Sequence, residues 1–194
     1  HFLNHKGFGL FTSRPRSTLA QRQRGLVILG SRLQCLQYPG GKTQRTNQLK
    51  LYLEQNSKRK IHVVGDDTLD LDRNAVYADS QKEKDARGSL KAEVERKVNK
   101  DDIVILDSLN YIKGYRYELF CLIKHAQTPH CLVYCLTSPE VSSKWNAQRD
   151  DSERYSQEVF DALVLRFEDP TPGIAGTASV YRASGRQSSI GGHH

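Results

Sequence analysis

The chain has 194 residues, a net charge of +7 and four cysteines, which is enough for one α/β domain with its own core. No apolar run approaches the roughly 20 residues that a membrane-spanning helix needs, and no cysteine pair has zinc-binding spacing. Residues 1–53 carry nine Lys and Arg and no acid, whereas 54–169 hold 18 basic and 22 acidic residues. The basic excess therefore lies at the ends, which argues against a basic nucleic-acid-binding face on the core.

Short apolar runs alternate with helical patterns from residue 26 onward. Strands are predicted at 26–29, 61–64, 103–106 and 131–136, and helices at 43–56, 80–99, 117–126, 139–149 and after Ser156. The run at 103–106 contains no polar residue, which is typical of a strand buried on both faces of a parallel sheet. We therefore predict an α/β domain at 26–170, with irregular segments at 1–25 and 171–194. The chain starts at His1 and contains no Met, so we interpret it as a fragment or processed product.

A glycine-rich run directly precedes the first predicted helix. Glycines let backbone N–H groups approach phosphate oxygens, a lysine reaches the terminal phosphates, and a threonine hydroxyl can hold Mg²⁺. The candidate phosphate-binding residues are Pro39, Gly40, Gly41, Lys42 and Thr43. This run favours a P-loop NTPase-type sheet that binds ATP and Mg²⁺.

The run departs from the full phosphate-loop pattern, which has a glycine five positions before Gly41. Leu36 occupies that position, and the loop reads as one residue short. The strand at 26–29 also lies far upstream for a tight loop. A helix start with turn glycines therefore remains an equally good interpretation of this run by itself.

Carboxylates follow two of the predicted strands. Asp107 ends the buried run at 103–106, at the sheet edge where open α/β folds bind ligands, and would order Mg²⁺. Asp66 and Asp67 follow the run at 61–64, and Asp66 would position or deprotonate an attacking water or hydroxyl. The alternative for all three is a turn or helix-cap role.

Phosphoryl transfer also recruits cations that spread the charge of the transition state. The candidates are Lys113, Arg116, Arg149 and Arg166. Arg149 is preferred because it follows Trp145 and Asn146 on the helix after the last predicted strand, where small P-loop kinases carry a lid. A solvated helix face is the alternative for each of them.

Several stretches resemble one known family. They are residues 77–84, 102–119 with its Ser-Leu-Asn-Tyr-Ile-Lys-Gly segment, 128–135, 145–149 with Trp-Asn-Ala-Gln-Arg, and 165–170. They resemble the killer-toxin-insensitivity protein twelve family, Elongator-associated P-loop ATPases also called chromatin-associated proteins and similar to the kinase that phosphorylates seryl-tRNA.

The resemblance implies an ATPase that uses Mg²⁺, binds tRNA and associates with Elongator, which modifies wobble uridines, in the cytoplasm and also the nucleus. It assigns the phosphate loop to residues 39–43, the Mg²⁺-ordering carboxylate to Asp107 and the acid after the second strand to Asp66. After Pro170 the family continues into a C-terminal tRNA-binding domain, which the chain does not match.

Three hypotheses follow. The chain hydrolyses ATP in support of Elongator, or it is an RNA or small-molecule kinase on the same fold, or it is a non-catalytic relative that lost ATP binding with its altered loop.

Overall fold

The computed structural model describes residues 25–31, 41–136, 138–170 and 180–184. The strands are β1 (Gly25–Ser31), β2 (Ile61–Gly65), β3 (Ile103–Asp107), β4 (His130–Leu136) and β5 (Val180–Ser184). The helices are α1 (Gly41–Asn56), α2 (Arg73–Ala78), α3 (Ser80–Lys97), α4 (Lys113–His125), α5 (Pro139–Ala147) and α6 (Gln157–Arg166). A 3₁₀ turn (Asp66–Leu69) directly follows β2.

The strands form one sheet in the order β2-β3-β1-β4-β5, and every pairing is parallel. β1 therefore lies at the centre, between β3 and β4, although the sequence placed this strand too far upstream of the glycine-rich run. All five residues of β3 are buried, as its uninterrupted apolar run predicted. The predicted α/β class, a parallel sheet flanked by helices, is confirmed.

Three local assignments differ from the sequence-based ones. Residues 180–184, interpreted as part of an irregular tail, form β5, an edge strand that pairs with β4. Helix α4 begins at Lys113, four residues early, because the Ile112 carbonyl already accepts the Arg116 amide. The short helix α2 was not predicted. Pairing and packing with distant residues decide these elements, and a single-sequence pattern does not contain that information. The interpretation of residues 1–24 lies outside the described residues.

The two faces of β3 pack against different helices. Ile103 and Ile105 pack against Leu49 and Leu53 of α1. On the other face Val104 and Leu106 join residues of α3 and α4: Leu90, Val94, Tyr115, Leu119 and Ile123. This alternation follows from the two-residue period of a strand. None of the helices in the described parts is long and apolar enough to cross a membrane.

A buried carboxylate joins α3 to the loop after β3 and to α6. Glu83 is 2% exposed and accepts hydrogen bonds from Tyr111 Oη at 2.5 Å, Arg87 at 2.5 Å and Arg166 at 2.9 Å. Arg166 also donates to the Tyr77 carbonyl at 3.3 Å. Two guanidinium groups and a hydroxyl offset the free-energy cost of burying this charge. Removal of any one partner should therefore destabilise the fold.

We expect Gly65→Ala to destabilise the fold. A Cβ at residue 65 would lie 2.5 Å from the Asp107 carbonyl oxygen, which is backbone and cannot turn away. The expected loss in chemical denaturation is about 1–3 kcal/mol. Gly88→Ala is the matched control: nothing lies within 4 Å of its Cβ in α3, so this change should stabilise by about 0.5–1 kcal/mol. Equal effects of the two substitutions would contradict the close approach at Gly65.

We expect the fold to lose stability in acid through His130. Burial lowers the pKa of this imidazole to about 4, and in the described part of the chain neither ring nitrogen has a hydrogen-bond partner. The unfolded chain therefore takes up the proton first, so stability is complete above about pH 6.5 and falls towards pH 4, by up to about 3 kcal/mol. Urea denaturation from pH 7 to pH 4 measures this loss, and His130→Asn should flatten the profile over that range.

Candidate functional site

The carboxyl ends of β2 and β3 bring two acidic side chains to the same edge of the sheet. Gly65, the last residue of β2, is in register with Asp107, so Asp66 lies beside Ser108, the residue after β3. Asp66 is 5% exposed and Asp107 is 8% exposed. β1 pairs with β3 on the other side, with Leu29 opposite Asp107. This edge is where open parallel sheets bind their ligands.

Asp107 is held by the helix that begins with Gly41. Thr46 Oγ1 on α1 donates to Asp107 Oδ2 at 2.8 Å, and Thr46 is 1% exposed. This bond fixes the amino-terminal part of α1 at the end of β3. The sequence placed Thr46 only on the buried face of the helix, and its contact with Asp107 was not predicted. The sequence feature that could have indicated this contact is a hydroxyl, that of Thr46, on the second turn of a helix that starts with Gly-Lys-Thr.

Asp66 receives one hydrogen bond on each carboxylate oxygen. Ser108 Oγ donates to Oδ1 at 2.8 Å, and Tyr77 Oη donates to Oδ2 at 3.1 Å. Burial, and then the negative charge of Asp66, raise the pKa of Tyr77 well above its usual value, so the phenol remains protonated and donates. Ser108 and Tyr77 were not among the predicted site residues, although both lie in the stretches that carry the family resemblance.

The side chains of the two adjacent aspartates in the 3₁₀ turn have different surroundings. Thr68 Oγ1 accepts from the Gly65 amide at 3.0 Å and donates to the Gly65 carbonyl at 2.5 Å, which fixes the turn directly after β2. Asp66 faces inward, whereas the Asp67 side chain is 71% exposed and pairs with Arg73 at 2.6 Å. The structure therefore favours Asp66 over Asp67 as the acid at the sheet edge, as the sequence position suggested.

The predicted cations separate into distinct groups. Arg116 is 3% exposed and donates to the backbone carbonyls of Asn110 and Glu168 at 3.0 and 2.8 Å. Arg166 pairs with Glu83, and Lys113 opens α4 with its backbone amide on the Glu168 carboxylate. Arg116 and Arg166 therefore hold loops together.

Arg149 differs from the other cations because its charge interacts with Arg73 and with Asp67, which follows β2 in the 3₁₀ turn. Burial lowers the pKa of its guanidinium, and the neighbouring charge of Arg73 acts in the same direction, whereas Tyr155, Glu153 and Asp67 oppose the shift. Its Nη1 donates to the Glu153 carbonyl at 3.3 Å. Arg73 was not a predicted site residue. Two guanidiniums beside the strand-end acids form an environment suited to an anion.

The glycine-rich run is only partly described. Gly41, Lys42 and Thr43 form the start of α1, so the helix begins where the sequence placed the phosphate ligands. The side chains of these three residues, together with Pro39 and Gly40, lie outside what the structure describes. Their assignment as phosphate and Mg²⁺ ligands stays a prediction, as do the roles assigned to Asp66, Asp107 and Arg149.

Known proteins are similar to this chain over most of its described length. The family model described as "Chromatin associated protein KTI12" matches residues 38–175. A KTI12 homolog of Danio rerio is 68% identical over 134 residues, which are 69% of this chain and 49% of that protein. One of Xenopus laevis is 69% identical over 130 residues, which are 67% and 47%. The chain thus spans about half the length of the curated relatives it matches.

Solved structures agree with the family match. Kti12 of Chaetomium thermophilum, crystallised with ADP-AlF3, is 35% identical with a TM-score of 0.71, over 82% of this chain and 88% of that one. A gluconokinase of Sinorhizobium meliloti, 11% identical with a TM-score of 0.56 over 84% and 83%, shares the fold alone. Because the family model covers well over half of the residues and a solved relative matches in sequence and fold, the chain belongs to the KTI12 family.

Proposed function

We propose that this chain binds ATP with Mg²⁺ and hydrolyses it, as an accessory factor of Elongator that supports modification of wobble uridines in tRNA. The observation that carries the enzymatic part is the pair of buried carboxylates, Asp66 and Asp107, at adjacent strand ends. Asp107 is bonded by Thr46 of α1, the helix whose first residues are Gly41, Lys42 and Thr43. The Chaetomium thermophilum relative was crystallised with ADP-AlF3, which supports nucleotide binding by this chain.

The residues at the edge fit a hard divalent cation. Carboxylate and hydroxyl oxygens are the ligands that Mg²⁺ prefers, and Asp107 and Thr43 would hold it. When bound with ATP, Mg²⁺ neutralises charge on the phosphates. Thr46 orients the Asp107 carboxylate through its 2.8 Å hydrogen bond. Lys42 and the backbone N–H groups at the start of α1 would bind the phosphates.

Asp66 would orient the attacking water and accept its proton. The bonds from Ser108 and Tyr77 fix both carboxylate oxygens, so the group is ordered before substrate arrives. Arg149 would spread the negative charge that develops on the transferred phosphoryl group. This division of roles leaves Asp67, which is paired with Arg73 and exposed, outside the reaction.

A polar cavity favours phosphoryl transfer to a hydroxyl as the second candidate. The cavity has a volume of about 470 Å³ and is lined in part by Asn74, Arg154, Tyr155 and Ser156. Tyr155 contacts the Tyr77 ring at 5.9 Å, and Tyr77 donates to Asp66, so an acceptor in this cavity would lie close to the candidate base. Transfer of labelled γ-phosphate to tRNA, as against release of free phosphate, separates a kinase from a hydrolase.

The Elongator and tRNA parts of the proposal rest on the family. The chain spans about half the length of the curated relatives, so these partners concern a larger protein than the residues described. The family description, chromatin associated, supports a nuclear location in addition to the cytoplasm. Co-purification of the full chain with Elongator subunits and with tRNA, from separate nuclear and cytoplasmic fractions, tests this part.

We expect Lys42→Ala to lower ATP turnover by at least about 100-fold, because it removes the side chain that contacts the terminal phosphates. Lys50→Ala is the matched control on the same helix, since Lys50 forms an exposed ion pair with Glu54 at 3.6 Å and should be dispensable. Phosphate release at saturating Mg·ATP measures both. Unchanged turnover in the first variant would refute the phosphate-loop assignment.

We expect Asp66→Asn to lower turnover by at least about 100-fold while the protein still binds nucleotide, because the amide cannot accept the proton of water. Asp67→Asn, at the exposed neighbour, should change turnover little. Thermal shift with millimolar Mg·ATP reports binding in each variant, since a ligand of the folded state raises the melting temperature. No shift even in the unaltered chain would instead favour the non-catalytic hypothesis.

A further inference from the structure

A non-helical segment, residues 154–156, lies between the side-chain amides of two asparagines. Asn146 on α5 donates to the Tyr155 carbonyl at 2.8 Å and accepts from the Tyr155 amide at 3.0 Å. Asn74 on α2 donates to the Arg154 carbonyl at 2.8 Å and accepts from the Ser156 amide at 2.9 Å. The backbone groups of Tyr155 thus bond on one side and those of its two neighbours on the other, as successive residues do in the central strand of an antiparallel sheet.

Only a primary amide can make this pair of bonds. It offers an N–H donor and a carbonyl acceptor in one plane, like a peptide group, whereas a carboxylate only accepts and an aliphatic side chain does neither. Asn146 is 3% exposed, so both its polar atoms need partners within the protein. It belongs to the Trp-Asn-Ala-Gln-Arg stretch, which carries the family resemblance but has no role beyond Arg149 in the proposed reaction.

The two asparagines fix both ends of one loop. Residues 147–154 begin with the last residue of α5, which directly follows Asn146. They lead to Tyr155, which bonds to the same asparagine. Asn74 ties the returning end to α2, the helix that also carries Arg73 and Tyr77. We call residues 147–154 the bracketed loop.

The bracketed loop carries Arg149, whose charge interacts with those of Asp67 and Arg73. The Arg149 amide bonds to the Asn146 carbonyl at 3.2 Å, and its guanidinium bonds to the Glu153 carbonyl within the loop. At the return of the loop the Tyr155 ring contacts Tyr77, which donates to Asp66. A displacement of this loop from α2 would therefore move Arg149 relative to Asp66.

We propose that Asn74 and Asn146 are positioning residues that hold the bracketed loop against α2 and so place Arg149 for the reaction. This inference rests on the proposed function, in which Arg149 spreads the charge of the transferred phosphoryl group. The asparagines touch no reacting atom and act through the loop that they fix.

Hydrogen exchange tests the bracket without any need for turnover. The amides of Tyr155 and Ser156 should exchange slowly in the full chain, because each donates to an asparagine side chain. Asn146→Ala should release Tyr155, and Asn74→Ala should release Ser156. Asn99→Ala is the matched control, since Asn99 caps the loop before β3 by accepting from the amides of Asp101 and Asp102. Fast exchange at Tyr155 and Ser156 in the unaltered chain would overturn the bracket.

A double-mutant cycle tests the positioning role. Asn74→Ala should lower the turnover number between about 10- and 100-fold with little change in KM, as expected for a misplaced group that acts in the transition state. On an Arg149→Ala background the same substitution should cause no further loss. Multiplicative losses in the double variant would show that Asn74 acts independently of Arg149 and would refute the proposal.

A gentler substitution covers the case in which the alanine variants do not fold. Asn74→Asp keeps the acceptor for the Ser156 amide, removes the donor to the Arg154 carbonyl and adds one negative charge. Asn74→Asp should lower the turnover number less than Asn74→Ala does, and this loss should again disappear on the Arg149→Ala background. A loss of turnover that persists on that background contradicts the inference. If the unaltered chain does not turn over ATP, the proposed hydrolase fails, and exchange at Tyr155 and Ser156 alone decides whether the bracket exists.

Discussion

β2 and β3 approach each other so closely at Gly65 that a side chain there would overlap the Asp107 carbonyl. This approach sets the register in which the residue after β2, Asp66, lies beside the residue after β3, Ser108, so that a 2.8 Å hydrogen bond joins them. Thr46 fixes Asp107 from the opposite side through α1. The geometry of both acids at the sheet edge therefore depends on one backbone contact that only glycine permits.

The loop that follows β3 is immobilised from outside the site. Tyr111 donates to the buried carboxylate of Glu83, and Arg116 bridges the carbonyls of Asn110 and Glu168. Residues 108–112 consequently move with α3 and with the segment after α6. The charged side chains in this region fix the position of Ser108, and through it the orientation of Asp66. Arg116 and Arg166, which resemble catalytic cations in the sequence, both bond to protein groups in this region.

Arg149 is held in a different manner from the two acids. The carboxylates lie on a sheet packed against α1, α3 and α4 by apolar side chains, whereas the return of the bracketed loop is attached to α2 by two hydrogen bonds with Asn74 and to α5 by two with Asn146. Hydrogen bonds to backbone groups exchange readily for bonds to water and contribute little net free energy each. The loop thus depends on a few directional hydrogen bonds, whereas the position of the acids depends on the packing of the sheet.

The sequence by itself determined the α/β class, the buried strand that ends at Asp107, and the family. Those features are local: an uninterrupted apolar run, a carboxylate at its end and a distinctive short segment are all visible in neighbouring residues. The tertiary structure alone decided that Thr46, Ser108 and Tyr77 bond to the acids, that Arg116 bonds to backbone carbonyls and Arg166 to Glu83, and that residues 180–184 form an edge strand. Each of these depends on contacts between residues far apart in the chain, such as the 61 positions between Thr46 and Asp107, and no periodicity along the sequence records which distant partners meet.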